Sequence, residues 1–167
     1  MLSDGRVDMK IIYHCFGGSH SSVTAAALHL GMLNKTRPPT REQLMEIPYY
    51  DKTSDADFGS IRYMGTDEFG HEVYVLGKKS MGNRYSAILM GVAEILGKRD
   101  DLIVVNCMDL VNWSMKLGGF TSRRLGLVAL GRPVVSWGTR KAFSQLVNLV
   151  EITRLKAMGN DDKVQTT

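Results

Sequence analysis

The sequence predicts an α/β protein, a three-layer sandwich with a mainly parallel sheet and an inserted β-hairpin. Apolar, strand-like runs alternate with segments of helical periodicity along the chain. The nearly continuous apolar run at residues 102–107 is typical of a strand buried in a parallel sheet. Two β-rich runs, at residues 61–64 and 72–76, flank a glycine-containing connector and predict the hairpin.

The first elements follow from local patterns. A strand is predicted at residues 9–15, and a helix at residues 21–33, where apolar residues recur at helical spacing. Thr40 and Gln43 have the spacing of an N-terminal capping box, which predicts a short helix up to Glu46.

The second half continues the alternation of helices and strands. After the hairpin we predict helices at 83–96, 109–117, 122–130 and 140–158, and buried strands at 102–107 and 133–137. With 167 residues, the chain is long enough for one domain with its own core. We therefore expect a flexible N-terminus (1–8), a single α/β domain (9–159) and a flexible tail (160–167).

Composition narrows the class of protein. The N-terminus does not resemble a signal peptide, and no apolar run is long enough to span a membrane, so we expect a cytoplasmic protein. Two cysteines form no disulfide framework. Residues 110–159 contain eight basic residues and one acidic residue, which favours an anionic ligand. Nucleic acid is disfavoured, because no block of aromatic residues interleaved with lysine and arginine suggests a stacking platform for single strands.

The turn at residues 15–22, Cys-Phe-Gly-Gly-Ser-His-Ser-Ser, is the main candidate site. It links an apolar strand to an alanine-rich helix, an arrangement that directs backbone N–H groups and a helix dipole at an anion. We predict that a phosphate is held by the residues Gly17, Gly18, Ser19, Ser21 and Ser22.

Further residues are expected to join this site. Asn106 ends a neighbouring predicted strand, and Arg123 or Arg124 would supply positive charge from a helix start. Cys15 is a candidate nucleophile. His20 is a candidate hydrogen-bond donor to a phosphate, or an acid–base group. The histidines and cysteines have no metal-ligand spacing, so no metal site is predicted, and the sequence identifies no cofactor.

The loop resembles three known loops incompletely. It has the glycines and hydroxyls of a P-loop but no following lysine. It looks like the loop of low-molecular-weight protein tyrosine phosphatases at Cys15, Gly17 and Ser22. Ser21 stands where that family has its phosphate-binding arginine, and no late Asp-Pro pair offers a general acid. The cysteine loop of sugar-transport phosphocarrier subunits is a shorter match.

Three stretches carry a resemblance along most of the chain. They are residues 10–27, residues 64–74, and residues 122–127 together with 131–133. In these stretches the sequence resembles a bacterial family of unknown function found mainly in spore-forming Firmicutes. The resemblance implies a bacterial or phage context and no established activity.

Several interpretations stay open at this point. The preferred one is a sensor or sequestering protein that binds a phosphate-bearing small molecule, most simply a nucleotide. The alternatives are an enzyme of phosphoryl or ester transfer using Cys15 or His20, and a protein–protein interaction module. Cys107 is expected in the core, with a Cys15–Cys107 redox pair as a further alternative. Asp67 and Glu68 form either a flap over the site or a solvated hairpin tip, and a homo-oligomer stays open.

Overall fold

A computed structural model describes residues 8–82, 84–108 and 142–164, with side chains up to residue 159. Its elements are β1 (Lys10–Cys15), α1 (Ser21–His29), α2 (Arg41–Glu46), a 3-10 turn (Asp55–Asp57), β2 (Ile61–Thr66), β3 (Glu72–Gly77), α3 (Arg84–Ile95), β4 (Leu102–Asn106) and α4 (Phe143–Val164).

The described strands form one mixed sheet in the order β2-β3-β1-β4. β1 is parallel to both β3 and β4, and β2 pairs antiparallel with β3 as the predicted hairpin. α1 packs on β1 and β3 and against α4, while α3 packs against β4. The predicted α/β fold with a mainly parallel sheet is therefore confirmed.

The helix after β1 is buried on every side. The sequence predicted one inward stripe, yet all nine residues of α1 are buried. The reason is that the sheet covers one side of the helix and α4 packs against it as well. The small side chains of Ala25, Ala26 and Ala27 allow this close packing. The helix also ends at His29, four residues before the predicted end.

The predicted capping box of α2 is confirmed. Thr40 Oγ1 accepts the backbone N–H of Gln43 at 3.3 Å, and Gln43 Oε1 accepts the backbone N–H of Thr40 at 2.9 Å. Leu44 then anchors the short helix in the core.

Two later elements differ from the prediction. In β4 only Val105 is buried, because β4 is the last strand of the described sheet and has a partner on one side only. α4 begins at Phe143 and continues to Val164, well beyond the predicted end at residue 158. Its 22 residues pass through Gly159 without a break. No helix in the described ranges is both long enough and apolar enough to cross a membrane. The segments predicted at 109–117, 122–130 and 133–137 lie outside the described residues.

The hairpin turn lies at the end of the sheet opposite the candidate loop. Glu72 begins β3 beside Lys10, which begins β1, whereas Cys15 ends β1. Asp67 Oδ1 accepts the backbone N–H groups of Phe69 and His71, both at 2.9 Å, so the carboxylate organises the turn. The interpretation of this turn as a flap over the site is therefore wrong.

His14 faces the α3 side of the sheet, away from the core that contains Tyr13 and Cys15, as the strand alternation predicts. Its Nε2 lies 2.8 Å from Ser86 Oγ, and Nδ1 has no hydrogen-bond partner among the described residues. Burial, and then the positive charge of Lys78, lower the pKa of His14 to about 4. The ring is therefore neutral near pH 7.

We predict that the free energy of unfolding falls as the pH is lowered from about 6.5 to about 4. The pKa of His14 is lower in the folded chain than in the unfolded chain. The unfolded state therefore binds the extra proton first, and the stability present above pH 6.5 is lost as the pH falls through this window. The loss attributable to His14 is on the order of 3 kcal/mol. Urea unfolding of the protein and of His14→Gln across this pH range measures the loss. If the free energy of unfolding falls equally steeply with pH in both proteins, the prediction is contradicted.

Candidate functional site

The loop between β1 and α1 lies at the C-terminal ends of three parallel strands. β1 lies between β3 and β4, so the loop that follows β1 lies beside the residues that follow both neighbouring strands. Ligands in open α/β sheets usually bind at this edge. The small residues at positions 17–19, 21 and 22 are buried. His20 is half-buried, and Phe16 is 45% exposed.

Two glycine backbones determine the path of the loop. A Cβ at Gly18 would stand 2.4 Å from Gly77 N, and a Cβ at Gly77 would stand 2.7 Å from Gly17 O. Gly18 also has φ +64°, in the left-handed region that favours glycine. The loop therefore lies directly on the end of β3. Lys78 N donates to Cys15 O at 3.0 Å and Lys79 N donates to Phe16 O at 2.8 Å, which extends the β1–β3 ladder beyond both strands.

Hydrogen-bond donors of the loop converge on the thiol of Cys15. Gly18 N donates to Cys15 Sγ at 3.1 Å, and Ser22 Oγ lies 3.2 Å from the same sulfur. Burial raises the pKa of Cys15, but hydrogen bonds from the Ser22 hydroxyl and from the backbone of Ser22 and Gly18 outweigh it. The pKa of the thiol is thus lower than the ordinary value. Only 4% of the residue is exposed.

Ser21, the first residue of α1, carries a buried hydroxyl beside the same thiol. Its hydrogen bond to Cys15 makes the smallest contribution to the lowering of the Cys15 pKa, and its Oγ has no well-formed hydrogen bond to any other described residue. The N-cap residue of α1, His20, also makes no side-chain capping bond. A hydroxyl at a helix N-terminus is placed where the free backbone N–H groups of the helix favour negative charge.

His20 is held in place by the turn at residues 49–51. Its Nε2 lies 3.2 Å from Asp51 Oδ1, and its ring meets the Tyr50 ring edge-on at 5.4 Å. Asp51 has φ +52°, and its N–H donates to Ser19 O at 3.0 Å. The loop and the 49–51 turn thus fix one another.

Arg62 is a site residue that no sequence motif indicated. Its Nη2 donates to Gly18 O at 2.6 Å and to Thr53 Oγ1 at 2.9 Å, and its guanidinium lies 4.6 Å from the centre of the Tyr49 ring. Its Nε is buried and has no hydrogen-bond partner among the described residues. An arginine within a hairpin strand looks like a solvated residue in the sequence. Only the fold brings it to the loop.

Lys78 is a second site residue that no sequence motif indicated. It follows β3 directly and is 3% exposed, and its Nζ donates to Asn106 Oδ1 at 3.1 Å. A basic residue directly after a predicted strand was the available clue. Asn106 therefore lies at the same sheet edge as the loop, and its Oδ1 also accepts Met108 N at 3.0 Å.

The remaining predicted residues have different outcomes. Arg123 and Arg124 lie outside the described residues. Cys107 is in the core, and burial raises the pKa of its thiol well above the ordinary value. In the ranges 8–82, 84–108 and 142–164, no group of three or more His, Cys, Asp or Glu side chains is placed to hold a metal ion.

The fold and the site together define a class: an α/β protein in which the loop after the first strand directs its donors at a cysteine thiol. The chain belongs to the family described as protein of unknown function (DUF3189), whose pattern matches residues 10–155. This confirms the expected membership of an uncharacterised family. No curated protein and no solved structure matches the chain.

We predict that Gly18→Ala destabilises the protein far more than Gly31→Ala. Both glycines have a left-handed φ, so each alanine costs about 1 kcal/mol in backbone strain. A Cβ at Gly31 meets nothing within 4 Å, whereas a Cβ at Gly18 collides with the backbone of Gly77. We expect an additional loss of roughly 2 kcal/mol for Gly18→Ala, measured by chemical unfolding. Equal losses in both variants would contradict the close approach of the loop to β3.

Proposed function

We propose that the loop at residues 15–22 binds a phosphate-bearing small molecule, a nucleotide, and that the protein acts as a sensor or sequestering protein. The single observation that carries this proposal is the convergence of the Gly18 N–H and the Ser22 hydroxyl on the Cys15 sulfur. A loop that lowers the pKa of a buried thiol already stabilises negative charge.

Two neighbouring features support a phosphate at this loop. The buried Ser21 hydroxyl lies at the N-terminus of α1 beside the Cys15 thiol, whose pKa it lowers least among the loop donors, and it would donate to a phosphate oxygen. Arg62 and Lys78 bring positive charge to the same edge of the sheet, where it attracts anions.

An exposed aromatic residue supports a nucleotide over a simple phosphate ester. Phe16 follows Cys15 directly and is 45% exposed. Its ring meets the Phe58 ring edge-on at 6.1 Å, and Lys79 Nζ lies 5.0 Å from the centre of the Phe58 ring. The exposed Phe16 ring offers a surface on which a nucleobase stacks while its phosphate enters the loop.

We predict that nucleotides stabilise the protein against heat through Ser21. The probes are inorganic phosphate, nucleoside mono-, di- and triphosphates, and an unphosphorylated nucleoside. A nucleotide present at roughly a hundredfold excess over its Kd adds about 2.7 kcal/mol to the free energy of unfolding. Ser21→Ala removes the hydroxyl that contributes least to the lowered pKa of Cys15, so it should change the stability of the free protein little and weaken binding about tenfold.

Two controls sharpen this measurement. Ser60→Ala removes an exposed serine outside the loop at residues 15–22 and should leave binding unchanged. Phe16→Ala should weaken binding of nucleotides but leave binding of inorganic phosphate as it was. If no phosphorylated probe raises the Tm, phosphate binding at this loop is wrong. If Ser21→Ala and Ser60→Ala bind equally well, the site is placed incorrectly.

A second candidate function is phosphoryl or ester transfer with Cys15 as the nucleophile, which the lowered pKa of its thiol favours. The thiolate would attack the phosphorus atom, and the leaving alcohol oxygen would take a proton from His20, which Asp51 orients. Water would then hydrolyse the thiophosphate. This candidate ranks second because the thiol is almost completely buried, so attack requires the loop to open as well.

We predict that iodoacetamide alkylates Cys15 with a pH midpoint below that of an ordinary thiol, while Cys107 stays unreactive in the folded protein. Peptide mass mapping after timed alkylation separates the two cysteines. Turnover of an aryl phosphate is then compared between the protein, Cys15→Ser and the matched variant Cys107→Ser. Loss of turnover in Cys15→Ser alone supports nucleophilic catalysis, and unchanged turnover in Cys15→Ser excludes it.

A further inference from the structure

The two cysteines of the chain end neighbouring parallel strands in register. The β1–β4 pairing ends at His14 opposite Asn106, and Cys107 N then donates to His14 O at 2.8 Å. Cys15 and Cys107 are the next residues on the two strands. Both are buried in the same core, on the face of the sheet that packs against α1 and α4, and both are free thiols.

This placement is compatible with a disulfide. Adjacent strands lie about 4.8 Å apart, and in-register residues of a parallel pair point to the same face. Disulfides join Cα atoms separated by roughly 4.4 to 6.8 Å. The electrostatic influence of Cys15 on the pKa of Cys107 agrees with this proximity.

We propose that Cys15 and Cys107 form a reversible oxidation site for a hydroperoxide, in which Cys15 reacts first and Cys107 closes the disulfide. This proposal does not require a ligand at the loop, because it is carried by the register of β1 and β4.

The two thiols have different roles because their surroundings differ. Hydrogen bonds from Gly18 and Ser22 favour the thiolate of Cys15, the form that attacks a peroxide. Cys107 is fully buried and is kept protonated by burial, so it is inert until a neighbouring sulfur becomes electrophilic. The 4% exposure of Cys15 favours small oxidants such as hydrogen peroxide over larger ones.

The chemistry balances in two steps. The Cys15 thiolate attacks one oxygen of the peroxide, the O–O bond breaks, and a sulfenic acid forms with release of hydroxide. The Cys107 sulfur then attacks the Cys15 sulfur. The S–O bond breaks, and the departing hydroxide combines with the thiol proton of Cys107 as water. Two thiols are oxidised by two electrons and the peroxide is reduced. A small-molecule dithiol reverses the change by thiol–disulfide exchange.

The disulfide would also alter the loop. Once the Cys15 sulfur is bonded to Cys107 it carries no negative charge, so Gly18 N–H and the Ser22 hydroxyl lose their thiolate acceptor. Oxidation therefore leaves these two donors of the loop without the anion that they stabilise.

The test is peroxide titration of the reduced protein, followed by alkylation under denaturing conditions and peptide mass analysis. We expect the intact mass to fall by two hydrogen atoms and a peptide joining Cys15 to Cys107 to appear, both reversed by dithiothreitol. In Cys107→Ala, a sulfenic acid at Cys15 should be trapped by dimedone. In Cys15→Ser, oxidation of Cys107 should slow by at least about tenfold.

Each other outcome overturns the proposal. Formation of Cys15 sulfinic acid while Cys107 remains alkylatable would show that the thiols do not meet. A Cys15–Cys15 link between two copies, or no reaction of Cys15, would also exclude the pair. If Cys107→Ala does not fold, the cross-linked peptide in the unmodified protein decides the question alone.

Discussion

The contact between the backbone of Gly17 and Gly18 and the end of β3 at Gly77 is the constraint on which the site depends. No side chain fits between these two segments, so the loop continues the hydrogen-bond ladder of the sheet. This position turns the Gly18 N–H toward the Cys15 sulfur and its carbonyl toward Arg62. A single close approach therefore determines both the polarity of the loop and the cation that faces it.

The opposite end of the sheet is stabilised by a different kind of interaction, a buried polar network. The Tyr13 hydroxyl lies 2.8 Å from His29 Nδ1, and His29 Nε2 lies 3.0 Å from Asp67 Oδ2. Arg154 of α4 donates to the His29 carbonyl at 2.9 Å and pairs with Glu68. Burial lowers the pKa of His29 more than Asp67 raises it, so the ring joins β1, α1 and the hairpin as a neutral group. Because this network fixes α1 at its C-terminal end, the N-terminal end of the helix is presented to the loop in one position.

The two proposals for Cys15 rest on the same electrostatics. A thiolate and a phosphate oxygen are both anions, and hydrogen-bond donors that stabilise one also stabilise the other. The Ser21 hydroxyl makes the smallest contribution to the lowered pKa of Cys15, so a change at Ser21 bears on ligand binding more than on thiol chemistry. Cys107 distinguishes oxidation from ligand binding, because only the disulfide requires the register of β4 that places Cys107 beside Cys15.

The sequence by itself determined the α/β class, the hairpin, the capping box at Thr40 and the position of the loop at residues 15–22. These features depend on local periodicity and turn chemistry, which a few neighbouring residues contain. Only the tertiary structure decided that Arg62 and Lys78 join Cys15, because pairing across the sheet brings together residues far apart in the chain. Strand direction places Asp67 at the end of the sheet opposite the loop, and the packing of α4 buries every face of α1. Neither feature leaves a local pattern in the sequence.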